Sequence, residues 1–186
     1  PSYDRRVEED RNADQRRVIG SLKAGDRVLL SGTIYTARDR AHERLVAMAE
    51  RQEALPLDLS GQVIYYMGPS PAPPGRVIGS AGPTTSSRMD PFTGAMLGLG
   101  VRGMIGKGKR DASLRDLCAR YRAVYFATFG GAGAYLALRV RESELIAFED
   151  LGTEAIYRLR VEDFPLIVVN DIYGSDLYED VVGTRG

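Results

Sequence analysis

Short apolar runs separated by stretches of helical period set the strongest limit on how this chain can fold. Arg27-Val28-Leu29-Leu30-Ser31-Gly32, Gln62-Val63-Ile64-Tyr65-Tyr66-Met67, Arg76-Val77-Ile78-Gly79-Ser80-Ala81, Gly103-Met104-Ile105-Gly106, Ala123-Val124-Tyr125-Phe126-Ala127 and Pro165-Leu166-Ile167-Val168-Val169 each read as a strand. Ser143–Phe148 reads as another, and Ala155–Val161 alternates apolar residues with arginine, the mark of a half-buried strand. Between these runs, Ala37, Ala41, Leu45 and Met48 fall at helical spacing within Thr36–Arg51. Pro91–Leu99 and Ala134–Val140 read as helices, and Leu114, Leu117 and Cys118 mark one face of a further helix with Ser113 or Asp111 at its N-cap. Strands interleaved with helices bury their apolar faces by stacking helices on a sheet. The expected fold class is therefore α/β, a single domain with a mixed sheet and flanking helices, and a length of 186 residues suits one domain.

The breakers divide the chain. Four prolines within Gly68–Gly75 forbid helix and sheet interior, so this segment is an extended loop. Gly82–Asp90 is a polar turn, and Gly130-Gly131-Ala132-Gly133 is a glycine-rich turn between a strand and a helix. Residues 1–20 carry five acids and five arginines with little apolar period, which predicts a polar N-terminal arm or a solvated helix. The domain proper is expected over 21–178, with a polar tail at 179–186.

Charge and cysteine usage narrow the function. Lys+Arg and Asp+Glu both total 25, so the formal charge is zero, which argues against a dedicated nucleic-acid or anionic-membrane partner. The one cysteine, Cys118, cannot by itself form an internal disulfide, a zinc site or an iron–sulfur site, and its apolar helix position predicts a buried structural thiol. No apolar run reaches the roughly 20 residues of a membrane span, and the polar start shows no signal peptide, so a cytoplasmic location is expected.

Several segments suit anions. Gly106-Lys107-Gly108-Lys109 places a lysine between glycines at a strand end, where the backbone can approach an anion while an ammonium points at it; a solvated turn fits the pattern equally. The Gly130-Gly131 turn leads into a helix N-terminus and suits a carboxylate or phosphate, against the alternative of close packing by small residues. Thr84, Thr85, Ser86 and Ser87 set four hydroxyls beside Arg88, donors for an oxyanion next to a bidentate clamp, or a polar turn. His42, the only histidine, lies four residues after Arg38 and three after Asp39; a His–Asp pair suits proton transfer, and a helix-stabilising histidine is the alternative. Gly98-Leu99-Gly100-Val101-Arg102-Gly103 has the dinucleotide spacing in the wrong context, a helix before it and a strand after, so turns and packing explain it better.

Thr36–His42, Gly82–Asp90, Gly106–Gly108, Gly130-Gly131, Glu154–Tyr157 and Val161–Pro165, in this order and spacing, resemble the β-subunit of the class I iron–sulfur fumarases and L(+)-tartrate dehydratases. The resemblance runs over about residues 20–178 and rests on separated motifs rather than one. It implies the swivelling β/β/α fold and a hydro-lyase: reversible hydration of fumarate to malate, active only with an α-subunit. It also implies a [4Fe–4S] cluster held by that α-subunit rather than by this chain. By resemblance, Thr84, Arg38, Asp39 and His42 are the catalytic candidates, with His42 and Asp39 either moving protons or orienting Arg38. Arg38, Thr85, Arg88, Lys107, Gly130 and Gly131 are the substrate-binding candidates. The expected partners are the α-subunit and a dicarboxylate, with self-association when the α-subunit is absent. An L(+)-tartrate dehydratase β-subunit and a non-catalytic anion-binding module are the alternatives.

Overall fold

The computed structural model describes residues 5–8, 13–128 and 132–183. Its strands are β1 (Arg5–Glu8), β2 (Arg27–Thr36), β3 (Val63–Tyr65), β4 (Gly103–Gly106), β5 (Val124–Ala127), β6 (Val140–Ala147) and β7 (Ile156–Asn170). Interleaved with them are α1 (Ala13–Ser21), α2 (Asp39–Glu50), α3 (Asp90–Gly98), α4 (Leu114–Tyr121), α5 (Gly133–Ala137) and α6 (Leu177–Gly183). Short 3-10 turns occupy Ser86–Met89 and Glu149–Glu154.

The seven strands form one sheet in the order β1-β2-β3-β4-β5-β7-β6, and a further β2–β7 pairing closes it on itself like a barrel. β1 through β5 pair in parallel, because helical crossovers return the chain to the same end each time. β7 runs antiparallel to β2, β5 and β6. This is the mixed-sheet, helix-flanked α/β domain of swivelling β/β/α type that the sequence predicts.

Closure depends on β7, where the sequence suggests two strands and the structure has one of 15 residues. Leu30 pairs with Phe164 and Gly32 with Val161, so Glu162 and Asp163 together face Ser31 in a bulge. Asp163 adopts φ 50°, and its N–H donates to Ser31 Oγ at 3.0 Å. The bulge bends the strand without ending it, and Pro165 continues the pairing opposite Leu29. Conversely, the strand expected at 76–81 is a loop. Gly79 N–H donates to the Ser70 carbonyl and Ala81 N–H to the Gly133 carbonyl, both at 3.1 Å, while Ile78 and Ala81 turn inward. The helix expected over 134–140 is the five-residue α5, and β6 starts earlier than expected, at Val140.

Two apolar cores result from strand alternation. Val28, Leu30, Ile34, Tyr65, Ile105, Phe126, Leu159, Phe164 and Leu166 fill the inside of the closed sheet. Their neighbours Ile64, Tyr66, Met104, Tyr125 and Val169 face outward and are covered by Ala41 and Leu45 of α2, Met96 and Leu97 of α3, and Leu114 and Cys118 of α4. Within the stretch expected to be a polar arm, β1 pairs with β2 and α1 lays Ile19 on the inner core, followed by Leu22. Within the expected polar tail, residues up to Gly183 belong to α6.

Candidate functional site

Parallel pairing aligns the C-terminal ends of β2, β3, β4 and β5, the edge at which α/β sheets bind ligands. Ala37-Arg38-Asp39 leaves the end of β2, Tyr66-Met67-Gly68 the end of β3, and Lys107-Gly108 the end of β4. The hydroxyl segment is threaded between them. Thr84 N–H donates to the Tyr66 carbonyl at 2.7 Å, Ser86 N–H donates to the Lys107 carbonyl at 2.9 Å, and Thr85 bridges Lys107 in parallel. Gly106 has no side chain because Ser86 sits there: a Cβ would overlap Ser86 Oγ and approach Tyr66 Cδ2 to 2.9 Å.

Arg38 is the N-cap residue of α2, with extended backbone. Its side chain crosses Gly68, where a Cβ would come within 3.1 Å of Arg38 Cδ and 2.6 Å of the Thr153 carbonyl oxygen. Its Nε is buried without a hydrogen-bond partner, and Glu154 Oε1 stands 4.0 Å away. Asp39, one residue on, reaches across to the hydroxyl segment. Its Oδ2 accepts from Arg88 Nε at 2.8 Å and lies 2.6 Å from the adjacent terminal guanidinium nitrogen, while its Oδ1 is buried and unpartnered.

His42 does not pair with Asp39. Its Nδ1 lies 2.8 Å from the Arg38 carbonyl oxygen, which also receives the His42 backbone N–H at 3.0 Å. A carbonyl only accepts, so the ring proton sits on Nδ1. The imidazole is 2 % exposed and meets the Tyr66 ring edge-on at 5.4 Å. Burial lowers its pKa to about 4, so it is neutral at physiological pH. The Asp39–Arg88 contact competes better for the carboxylate, because it is charge-assisted.

Thr84 and Lys107 are half-buried, and Thr85 and Arg88 are exposed. Among the described residues, no carboxylate pairs with the Lys107 ammonium. Gly130 and Gly131 lie outside the described residues. Arg38, Asp39, Thr84, Thr85, Arg88 and Lys107 are thus gathered around the ends of β2, β3 and β4, with His42 beneath Arg38.

A second layer under this rim was not visible as a motif. Arg110, whose side chain is 1 % exposed, donates from Nε to Asp90 Oδ1 at 2.6 Å and from Nη2 to Thr93 Oγ1 at 2.7 Å. Its guanidinium packs over the rings of Tyr66 and Tyr125, at 5.2 and 4.8 Å from their centroids. Tyr125 Oη lies 2.8 Å from both Ser86 Oγ and the Gly108 carbonyl oxygen. In sequence, Arg110 looks like the end of a basic loop and Tyr125 like one residue of a strand.

The described residues do not fit an iron–sulfur cluster. Cys118 is buried on α4 under the sheet with its thiol pushed up to about 12 by desolvation, and no group of three His, Cys, Asp or Glu suited to a metal occurs among the described residues. Gly98–Gly103 links the end of α3 to the start of β4, the reverse of a dinucleotide turn. No helix among the described residues is long and apolar enough to cross a membrane.

The Fumarase C-terminus family model matches residues 2–181. "Fumarate hydratase 2" of Leishmania major is 36% identical over 165 residues, 88% of this chain and 29% of that protein. "Fumarate hydratase class I, anaerobic" of Escherichia coli K12 is 34% identical over 184 residues, 96% of this chain and 34% of that protein. "Putative L(+)-tartrate dehydratase subunit beta" of Methanocaldococcus jannaschii is 39% identical over 169 residues, 88% of this chain and 87% of that protein. The chain therefore spans about a third of the fumarate hydratases it matches, and nearly all of a protein named as a separate subunit.

Proposed function

The chain belongs to the Fumarase C-terminus family, and from that premise we propose that it is the β-subunit of a two-subunit hydro-lyase that reversibly hydrates fumarate to malate. The observation that carries this reading is the gathering of Arg38 and Lys107, just past the ends of β2 and β4, with Arg88 on the hydroxyl segment threaded between those ends. A dicarboxylate substrate brings two negative charges that must be held apart and oriented, and the three cations suit that task.

Each clamp has a distinct part. Arg88 spends its Nε edge on Asp39, which leaves the edge between its two terminal nitrogens for a substrate carboxylate. Arg38 has an unspent Nε and a distant carboxylate neighbour, so an incoming carboxylate supplies what the free chain lacks. Lys107 contributes a point charge. Thr84 is the hydroxyl assigned to proton transfer, and its high intrinsic pKa requires a neighbouring base, which we place on the partner subunit. His42 acts through Arg38: neutral, with its Nδ1–H committed to the Arg38 carbonyl, it fixes the residue that opens α2. Thr85 borders Lys107 and completes the binding set, to which Gly130 and Gly131 also belong in this reading.

The [4Fe–4S] cluster belongs, in this proposal, to the α-subunit, since the described residues offer no ligand set for it. The pairing with an α-subunit is supported by the match along 87% of a protein named as subunit beta. Tyr135 and Leu138, both about half exposed on and just after α5, offer apolar side chains to such a partner and to self-association in its absence. A cytoplasmic location is part of the same reading. The M. jannaschii relative also supports L(+)-tartrate as an alternative substrate with the same clamps.

The test is anaerobic hydration of fumarate by the chain with and without its cluster-loaded α-subunit, followed by loss of the double-bond absorbance. Activity in the mixture alone is expected, and Arg88→Ala lowers it about tenfold to a thousandfold, the loss of a charged hydrogen bond in a closed site. Full activity in that variant removes Arg88 from the mechanism. Turnover of L(+)-tartrate in place of fumarate selects the alternative substrate, and turnover of neither selects a non-catalytic anion-binding module.

A further inference from the structure

Two loops carry the hydroxyls and the lysine of the site, and they arrive from different parts of the chain. Residues 84–88 follow a long loop after β3, whereas 107–108 continue β4 directly. Their backbones meet in the parallel Thr85–Lys107 bridge, where Ser86 N–H donates to the Lys107 carbonyl. One side-chain atom also touches both. Tyr125 Oη, at the tip of a fully buried residue of β5, is 2.8 Å from Ser86 Oγ and 2.8 Å from the Gly108 carbonyl oxygen.

The donor assignment follows from chemistry. The Gly108 carbonyl can only accept, so the phenol gives it its single proton. The phenol oxygen then accepts from Ser86, whose own hydroxyl proton is free to turn. Both loops are thus fixed through one oxygen. The ring is fixed in turn from below, because the buried Arg110 guanidinium stacks on it and is itself anchored to Asp90 and Thr93 of α3. Burial raises the phenol pKa, so the proton needed for this bridge stays in place.

We infer that Tyr125 is a positioning residue, whose phenol sets the separation between the hydroxyl segment Thr84–Arg88 and Lys107 so that both meet one dicarboxylate. The inference rests on the proposed hydro-lyase reading and adds to it a residue that touches no substrate. It explains why Gly106 lacks a side chain: a Cβ there would displace Ser86 Oγ and with it the bridge. It also gives a role beyond its ion pair with Asp90 to the arginine buried beneath the site.

The test uses Tyr125→Phe, which keeps the ring and removes the oxygen, and Ser86→Ala, which breaks one of the two links and keeps Tyr125. Both are assayed as the reconstituted two-subunit enzyme, and both chains are followed by amide hydrogen exchange. In Tyr125→Phe, exchange at Ser86 rises at least tenfold while the central amides of β2 and β7 keep their rates; an unchanged Ser86 rate overturns the inference. The kcat for hydration falls about tenfold to a hundredfold in Tyr125→Phe and less in Ser86→Ala, as expected for hydrogen bonds that orient catalytic groups. In a Lys107→Met background the Tyr125→Phe change costs less than threefold, because the group it positions is gone. An equal loss in both backgrounds means the phenol supports the whole fold and overturns the inference. If exchange responds as expected but the wild-type pair hydrates neither fumarate nor tartrate, the bridge stands and the hydro-lyase reading is what fails.

Discussion

The closed sheet is stopped at its two ends by different chemistry. Where β3, β4 and β5 begin, α1 and the turn after it lay Val18, Ile19 and Leu22 against Leu30, Val63, Val124 and Phe126. Tyr173 reinforces that end, donating to the Gly20 carbonyl at 2.6 Å and lying under the Lys23 ammonium. Where the same strands finish, the chain places irregular loops with cations, hydroxyls and two buried polar atoms, Arg38 Nε and Asp39 Oδ1, that have no partner. The first end is built to exclude water. The second keeps polar groups unsatisfied, a cost of about 1–3 kcal/mol each, which a folded chain tolerates where a ligand or a partner supplies the missing contact.

The contrast is tested most severely at Arg110, which belongs to the polar end although its side chain is buried. Arg110→Met leaves Asp90 without its cation and removes the support of Tyr66 and Tyr125, so stability falls by about 3–5 kcal/mol, the usual result of removing one member of a buried pair. Activity per folded molecule falls as well. Urea unfolding and hydration assays on the same samples check both. Unchanged turnover would show that the second layer is only structural.

His42 gives the next largest effect, and it is confined to a pH window. Its pKa falls from 6.5 unfolded to about 4 folded. Between those values the unfolded chain binds the proton more tightly, so the contribution of this group is present above pH 6.5 and is lost as pH falls toward 4. The loss is on the order of 3 kcal/mol. His42→Asn keeps a donor for the Arg38 carbonyl and does not titrate. The difference between wild type and variant in urea midpoints from pH 7 to pH 4.5 isolates the histidine from the carboxylates that titrate nearby. Parallel curves would mean that His42 is solvated.

At the other end, Leu22→Ala removes a side chain that is 1 % exposed beside a small apolar cavity of about 40 Å³. The expected loss is about 2–3 kcal/mol, low in the range for such truncations because α1 can settle inward. Turnover per folded molecule stays at the wild-type value. A change in KM for this variant would show that the two ends are coupled through the inner core, which is the outcome that breaks the comparison.

The central strands and α2 were legible in the sequence, whereas α1, which closes the apolar end, lies in the stretch read as a polar arm or solvated helix, and the second layer of the polar end gave no motif. The runs at 27–32, 103–106 and 123–127 and the helical spacing of Ala37, Ala41 and Leu45 identify β2, β4, β5 and α2, because alternation and helical period are local properties. Barrel closure was not legible, since the β2–β7 pairing joins residues more than a hundred positions apart and depends on a bulge at Asp163. Residues 76–81 have the composition of a strand, yet their hydrogen bonds go to Ser70 and Gly133 instead of a neighbouring strand. In the site, Arg38, Thr84, Arg88 and Lys107 stood out because glycines, hydroxyls or another charged residue flank them. Arg110 and Tyr125 did not, because their roles come from what they touch.

Asp39 carries the smallest expected effect and the sharpest question about the polar end. Its spacing suits a bond to His42, and the structure gives it to Arg88 instead. If Asp39 aims the free edge of Arg88 at the substrate, Asp39→Asn keeps the shape and one acceptor but loses the charge, so Arg88 is held less firmly. KM then rises about fivefold to tenfold, roughly 1 kcal/mol, with kcat within a factor of two, since both ground state and transition state lose the same clamp. If Asp39 instead competes with the substrate for Arg88, the same variant frees the guanidinium and KM falls. The sign of the change decides between an aiming group and a latch. A large fall in kcat with unchanged KM would reject both and move Asp39 to the reacting atoms.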